Sequence, residues 1–330
     1  MPIHSQVGHM FLTGGTGFFG RSLLRHLVEQ FKKTTHGPNV TILTRSPDAF
    51  LSLHPEFLGH PWLHFHAGNL LDPKTYPSDQ AFTHLLHAAA DSTLGPTLSP
   101  LERYTQIVEG TGYLLEYAVK QQIGRFLLVS SGGVYGPQPS TLEKIPESFN
   151  GMTDPLIAAN AYSVGKRVAE HLCALYRDQH GIETVIARCF AFVGADLPLD
   201  VHFAVGNFIR DALSNEDIVV KGDGTPVRTY MDQRDLAEWL LSLLANGRSG
   251  QAYNVGSDEP ISISALAHRV RDLVCPGKTV RIQSKALGSI ERNRYVPSIK
   301  KAKLELGLSL HYTLDQGIIS TAQAAKRMMK

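Results

Sequence analysis

Cysteine is scarce in this chain. Three stand in 330 residues, at positions 173, 189 and 275. Their wide spacing excludes a disulfide framework and a cysteine metal motif, and it indicates buried thiols in a reducing cytoplasm. Long apolar runs are also missing. None approaches the ~18 residues of a membrane span, so no transmembrane helix is expected. The opening Met-Pro-Ile-His-Ser-Gln lacks the basic-then-apolar pattern of a secretory leader. Nor is there an excess of one charge: 32 Lys and Arg stand against 30 Asp and Glu, a net of +2. That balance gives no reason to expect nucleic acid or a membrane surface as partner. The fifteen histidines are scattered, and although His64 and His66 alternate along a strand-like stretch, no cysteine or carboxylate nearby completes a ligand set. No metal is therefore expected.

What is present is ordinary globular composition, 43% hydrophobic and 19% charged, with one conspicuous loop. Residues 13–20 read Thr-Gly-Gly-Thr-Gly-Phe-Phe-Gly after the apolar run Met10, Phe11, Leu12. Behind them Phe19, Leu23, Leu24, Leu27, Val28 and Phe31 recur at helical spacing. Strand, glycine loop and helix in that order form a dinucleotide-binding context. Gly14 permits the tight turn, Gly17 lets backbone approach a pyrophosphate, and Gly20 lets the helix pack closely. The amides of the first helical turn then face the phosphates.

Further apolar runs follow at residues 40–43, 63–67, 84–90, 125–131 and 183–189, with helical patterns at 101–121 and 162–177 between them. Near-continuous apolar strands alternating with helices predict a parallel sheet covered on both faces. Beyond Arg188 the pattern loosens. Residues 194–201 and 221–226 are turn-rich, 253–255 reads as a short strand, and 262–274 as a helix with Ser262 as its N-cap. The expected fold class is α/β: a Rossmann-like, doubly wound parallel sheet in residues 1–190, and a smaller C-terminal α/β substrate lobe, partly interleaved with it, in 191–330.

The fifth strand ends Ser130-Ser131-Gly132-Gly133-Val134-Tyr135-Gly136, and the following helix begins Tyr162-Ser163-Val164-Gly165-Lys166. Tyr162 and Lys166 share one helix face. An ammonium beside a phenol favours phenolate, which suits proton exchange with an alcohol or ketone near neutral pH. A serine hydroxyl can hold the same oxygen.

With these motifs the chain resembles an extended short-chain dehydrogenase/reductase of the NAD(P)-dependent nucleotide-sugar epimerase/dehydratase family, over nearly its whole length. The segments that carry the resemblance are residues 13–20, Ala88-Ala89-Ala90, 130–136, Tyr162/Lys166, 222–237, 253–257 and 300–307. The resemblance implies that Tyr162 is the acid/base, that Lys166 supports it and touches the nicotinamide ribose, and that Ser131 is the triad hydroxyl. Ser130 is read as a strand-end residue bonding backbone. Cofactor contacts implied are Gly14, Thr16, Gly17, Phe18, Phe19 and Gly20 in the loop, then Arg45, Asn69 and Leu70, then Ala88, Ala89 and Ala90, with Tyr162 and Lys166. On the substrate side the resemblance points to Arg228 for the sugar-nucleotide pyrophosphate, with Arg292 or Arg294 for a second phosphate contact. A guanidinium suits either role. His202 is either a second acid/base or a plain loop residue. Asp235 is read as a helix-start residue. The helices at 101–121 and 162–177 resemble those that pair across a homodimer.

The chain also departs from the family pattern. The 4,6-dehydratases carry an Asp-Glu pair after the triad hydroxyl, where this chain has Gly132 and Gly133. Neither can move a proton, so 4,6-dehydration is disfavoured. Strand two ends Leu43-Thr44-Arg45-Ser46, without the acidic residue that bonds the ribose in many NAD-using relatives. Arg45 with its neighbouring hydroxyls could hold a 2′-phosphate, which tilts the expected cofactor from NAD toward NADP. Asn69 replaces a usual aspartate, and its amide oxygen can still bond adenine. The resulting expectation is a cytoplasmic nucleotide-sugar 4-epimerase or 4-keto reductase working by hydride transfer. The alternatives are a reductase of a small non-nucleotide carbonyl and a non-catalytic NADP-sensing regulator.

Overall fold

The computed structural model describes residues 7–32, 37–89, 98–214, 216–283 and 294–328. In chain order the elements are β1 (His9–Thr13), α1 (Phe18–Phe31), β2 (Asn39–Thr44), α2 (Pro47–Leu53), β3 (Leu63–Ala67), β4 (His84–His87), α3 (Pro100–Lys120), β5 (Arg125–Ser131), α4 (Ala161–His180) and β6 (Glu183–Cys189). They continue with β7 (Phe192–Val193), α5 (Ala204–Leu213), β8 (Ile218–Val220), β9 (Val227–Arg228), β10 (Met231–Asp232), α6 (Gln233–Asn246) and β11 (Gln251–Val255). The last are β12 (Ile261–Ser262), α7 (Ile263–Val274), β13 (Val280–Ile282), α8 (Lys300–Leu306) and α9 (Leu314–Met328).

Seven strands form one sheet in the order β11-β6-β5-β4-β1-β2-β3. The pairs β1–β2, β1–β4, β2–β3 and β4–β5 are parallel. Apolar runs fill the strand centres because both faces are covered: Met10, Phe11 and Leu12 of β1, and Phe126, Leu127 and Leu128 of β5, are all fully buried. The chain winds outward from β1 through β2 and β3, then returns to β4 on the other side. That reversal is the topological switch point, where loops diverge at the carboxyl ends and leave a crevice.

Contacts divide the chain into two units. The first comprises residues 1–134, 153–188 and 237–253. Its returning segment brings Trp239, Leu240, Leu243 and Leu244 of α6 into burial. Arg125 clamps that segment, donating to the carbonyls of Leu244 and Gly247 and pairing with Glu183. The second unit comprises residues 135–152, 189–236 and 254–330. There α5, α7 and α9 pack together through buried Val205, Phe208, Ile209, Leu266, Val270 and Ile318.

Local signals explain the helix ends. Ser99 and Glu102 form a reciprocal capping box at α3, with Pro100 in the first turn. Ser262 caps α7 by accepting from Ala265 N, as its position predicts. Two expectations shift. The fourth strand ends at His87, with Ala88 N making the last ladder bond to Thr13 O, rather than running to residue 90. The strand at 253–255, assigned from sequence to the C-terminal region, is part of β11 at the edge of the seven-stranded sheet. Pairing across such sequence distance leaves no local trace. Of the cysteines, Cys173 and Cys189 are buried, whereas Cys275 is partly exposed. No described helix is long and apolar enough to cross a membrane.

Candidate active site

The glycine loop lies at the switch point, and its three glycines differ physically. Gly14 has φ +75°, and a Cβ there would stand 2.5 Å from the Ala88 carbonyl carbon. Gly20 packs on backbone, with a Cβ falling 2.2 Å from Gly15 Cα. A Cβ on Gly17 would meet nothing closer than Gly14 O at 3.6 Å. No packing within the fold demands glycine at 17, so the requirement there comes from what approaches from outside. Gly17 is also the N-cap of α1, with no side-chain cap and no acidic residue in the first turn. A helix N-terminus of this kind favours an anion.

These residues border a cleft of about 800 Å³. Gly14, Thr16, Gly17, Phe18 and Phe19 line one side, Arg45, Asn69 and Leu70 another, and Ala88 and Ala89 close the third. Gly20 does not line the cleft, and its part is the close packing on Gly15. Ala90 lies outside the described residues. Among the described lining residues there is no carboxylate, and Arg45 sits between Thr44 and Ser46 at the end of β2. Asn69 Oδ1 already accepts from Leu71 N at 3.1 Å, a turn that fixes the amide at the rim. Sequence reasoning missed Gln106. It projects from α3 to the cleft, and its Oε1 is buried without a hydrogen-bond partner among the described residues. An orphan acceptor, a helix N-terminus without an acidic cap and a glycine cradle fit a dinucleotide bearing both phosphates and hydrogen-bond donors.

Thr13 and His87 face each other across β1 and β4, Thr13 Oγ1 lying 2.8 Å from His87 Nδ1. Burial, and then the nearby Lys166 charge, push the His87 pKa down to about 3, so the ring is neutral. This pair holds the carboxyl ends of the two strands that flank the crevice.

The sequence-predicted triad comes from adjacent elements of the same unit. Ser131 ends β5, while Tyr162 and Lys166 occupy the first turns of α4. Lys166 is buried and its Nζ donates to Val129 O at 2.8 Å, which ties α4 to the strand that carries Ser131. A turn further on, Glu170 accepts from Ser130 Oγ at 2.6 Å and pairs with Arg188 of β6 at 2.7 Å. Ser130 therefore bonds a carboxylate, contrary to the expectation that it bonds backbone, because β5 and α4 pack closely enough for side chains to meet. Gly133 N donates to Ser131 Oγ at 3.0 Å. A Cβ on Gly133 would stand 2.8 Å from Ser163 Oγ and 3.3 Å from Ser131 Oγ, so the space beside Ser131 Oγ is shaped to glycine.

In the second unit, Arg228 lies on β9, paired with Ile261 of β12. Its Nη1 donates to Val227 O at 2.9 Å, its guanidinium lies 6.0 Å from the Tyr295 ring centroid, and burial lowers its pKa. Arg294 forms a bridge with Val227 and donates to Glu143 O at 3.2 Å, bringing a second guanidinium next to β9. Arg292 lies outside the described residues. His202 is exposed in a bend, its ring 4.3 Å from Phe203. Asp235 sits in the first turn of α6, yet its carboxylate accepts from His311 N and Tyr312 N at 3.0 and 3.1 Å. It caps a distant segment of the chain. No group of described residues could hold a metal ion.

Ser131, Tyr162 and Lys166 are not among the residues that line the cleft. A glycine-cradled crevice at the switch point of a parallel sheet points to a nucleotide-dependent, oxidoreductase-type enzyme. The NAD dependent epimerase/dehydratase family model matches residues 10–256, and the chain belongs to that family. UDP-glucuronic acid decarboxylase 5 of Arabidopsis thaliana is 30% identical over 309 residues, 94% of this chain and 86% of that protein. The solved UDP-glucose 4-epimerase of Thermotoga maritima superposes with a TM-score of 0.81 at 19% identity, covering 98% of this chain and 100% of that one. The dTDP-glucose 4,6-dehydratase of Streptomyces venezuelae, solved with NAD bound, gives 0.80 at 24% identity, covering 97% of each. At these identities the structural likeness is one of fold.

Proposed function

We propose that this protein is a cytoplasmic, homodimeric nucleotide-sugar oxidoreductase that acts at sugar C4, as a 4-epimerase or a 4-keto reductase. The observation that carries the reading is the Ser131, Tyr162 and Lys166 set with glycine, rather than carboxylate, at positions 132 and 133. Residues 14–20 and the cleft they border would hold NAD or NADP, which when bound would supply hydride chemistry at the sugar carbon. Tyr162 exchanges the proton of the C4 oxygen. Ser131 holds the same oxygen, and Lys166 favours the ionised phenol. Arg228, with Arg292 or Arg294, binds the pyrophosphate, and residues 191–330 mainly hold the sugar nucleotide. His202 is a candidate second acid/base in an epimerising reductase. Elimination of water needs a proton shuttle that Gly132 and Gly133 cannot supply.

A second reading has support in the decarboxylase relatives. A uronate oxidised at C4 is a β-keto acid, and its carboxylate leaves as carbon dioxide without help from an acid at position 132 or 133. The sequence alone gave no signal for this, because decarboxylation uses the same oxidising set.

The test supplies UDP-glucose, UDP-glucuronic acid and 4-keto nucleotide sugars with each nicotinamide cofactor, following cofactor absorbance and product stereochemistry. Inversion at C4, or cofactor consumption on a 4-keto sugar, is expected. Release of carbon dioxide from UDP-glucuronic acid selects the second reading, and no turnover with any substrate removes both. Tyr162→Phe is expected to abolish turnover with cofactor affinity nearly unchanged. Retained turnover removes Tyr162 from the chemistry.

A further inference from the structure

α3 precedes α4 with β5 between them in sequence, yet it delivers a cation to Tyr162. The capping box of Ser99 and Glu102 fixes the first turn of α3, and Arg103 N donates to Ser99 O at 3.0 Å within that turn. The Arg103 guanidinium then lies over the face of the Tyr162 ring, 4.3 Å from its centroid. Arg103 is partly buried, its Nε is buried without a hydrogen-bond partner, and no carboxylate among the described residues pairs with it. An arginine placed only for solubility or for an ion pair would not be held this way. One turn on, Gln106 presents its own unpartnered Oε1 to the cleft, so this face of α3 runs from the tyrosine to the cofactor site.

We propose that Arg103 is a positioning and tuning residue for the acid–base tyrosine: stacked on the ring, it stabilises the phenolate form of Tyr162 and holds the ring in place for proton exchange. This rests on the reading of Tyr162 as the acid/base.

The physical argument is direct. Ionising a phenol spreads negative charge into the ring, so a guanidinium on the ring face binds the ionised form better than the neutral one. The site is partly sheltered from water, which strengthens the effect. Among the described residues, the other charged and titratable groups near Tyr162 have partners of their own. On α4, Lys166 is buried against Val129 O, Arg167 donates to Val134 O, and Glu170 is engaged by Ser130 and Arg188. On α3, Glu102 is exposed and holds Ser99 N, and Tyr104 packs near Gly165. On β4, His87 is neutral. Tyr162 also lies in the first turn of α4, where the helix N-terminus favours an anion. Among the described residues Arg103 is the cation seen on the ring, reaching it from across the helix pair, while Lys166 lies one turn further along the tyrosine's own helix.

The experiment reads the ionisation of Tyr162 itself. The chain has eleven tyrosines, so the tyrosinate absorbance titration of Tyr162→Phe is subtracted from that of the wild type, isolating Tyr162. The same subtraction is made with Arg103→Gln as the background. Removing Arg103 is expected to raise the Tyr162 midpoint by about one pH unit, the size of a partly desolvated cation–π contact. Arg103→Lys should restore part of the shift. Arg103→Met keeps the alkyl stem and serves if the glutamine variant folds poorly. An unchanged midpoint in both neutral variants overturns the proposal. Turnover retained in Tyr162→Phe overturns the catalytic reading of Tyr162 instead, and the two failures are separate measurements. With an active nucleotide sugar, the acidic limb of the kcat profile should move upward in Arg103→Gln while KM changes little. A fall in kcat at every pH without that displacement would mark a purely structural role and count against the proposal.

Discussion

Gly17 and Gly20 stand in the same motif and answer to different forces. Gly20 is glycine because Gly15 backbone occupies the place of its side chain, whereas Gly17 has open space above it and ordinary dihedrals, φ −82°. Gly20→Ala should therefore destabilise the fold, by about 1–3 kcal/mol in urea unfolding, since backbone must shift to admit the methyl. Gly17→Val should leave the melting temperature close to wild type and weaken NAD and NADP binding about tenfold or more, read by calorimetry. A valine variant that binds normally would mean that no phosphate approaches this backbone. The loop was legible from sequence because its glycines are local. Gln106 and Arg103 were not. In the sequence they are polar positions on a long amphipathic helix, and only the packing of α3 beside α4 and the crevice gives them a direction.

At the scale of elements, the site is set by where strands stop. β1 and β2 run in register, Thr13 opposite Leu43, so the residues that follow β2 border the glycine loop. Arg45 takes that position, exposed and flanked by hydroxyls, with the nearest acidic residue, Asp48, in the first turn of α2. A guanidinium here would give a 2′-phosphate a charge-assisted hydrogen bond worth about 1.5–3 kcal/mol. Arg45→Ala is expected to weaken NADP binding about tenfold to a hundredfold and to leave NAD binding nearly unchanged. Equal losses for the two cofactors would show that Arg45 does not read the phosphate. Strand and helix bounds were mostly readable because burial on both sheet faces imposes long apolar runs. The end of β4 was not, since Ala88 and Ala89 are as apolar as the strand, and β1 offers no partner beyond Thr13, where the glycine loop begins. Ser130 was misread for a related reason. Its partner Glu170 lies 40 residues away and is brought to it by the packing of α4 on β5.

At the scale of the whole molecule, stability should depend on pH through buried histidine. His87 is fully buried and held neutral, its pKa of about 3 far below the unfolded value near 6.5. The unfolded chain takes up that proton first as pH falls. The contribution of the neutral ring to stability is thus fully present above about pH 6.5 and is lost progressively toward pH 3. His9 and His84, also lowered by burial, act in the same direction. Between pH 7 and pH 5 the wild type should lose about 2 kcal/mol more than His87→Asn, measured by urea unfolding. Parallel losses in the two proteins would show that His87 is not the group responsible.

The division of labour follows from the range of each force. Turn chemistry, capping and hydrophobic period act over a few residues. The sequence alone therefore determined the glycine loop, the parallel α/β class, the cap at Ser262, the Tyr162/Lys166 face and the missing carboxylates at Gly132 and Gly133. Tertiary structure decided what depends on residues far apart in the chain: β11 joining the seven-stranded sheet, Arg125 clamping the returning segment at 237–253, His87 held neutral beside Thr13, and Arg103 laid on the ring of Tyr162. Side-chain direction and desolvation arise only when separate elements pack, so no reading along the chain contains them.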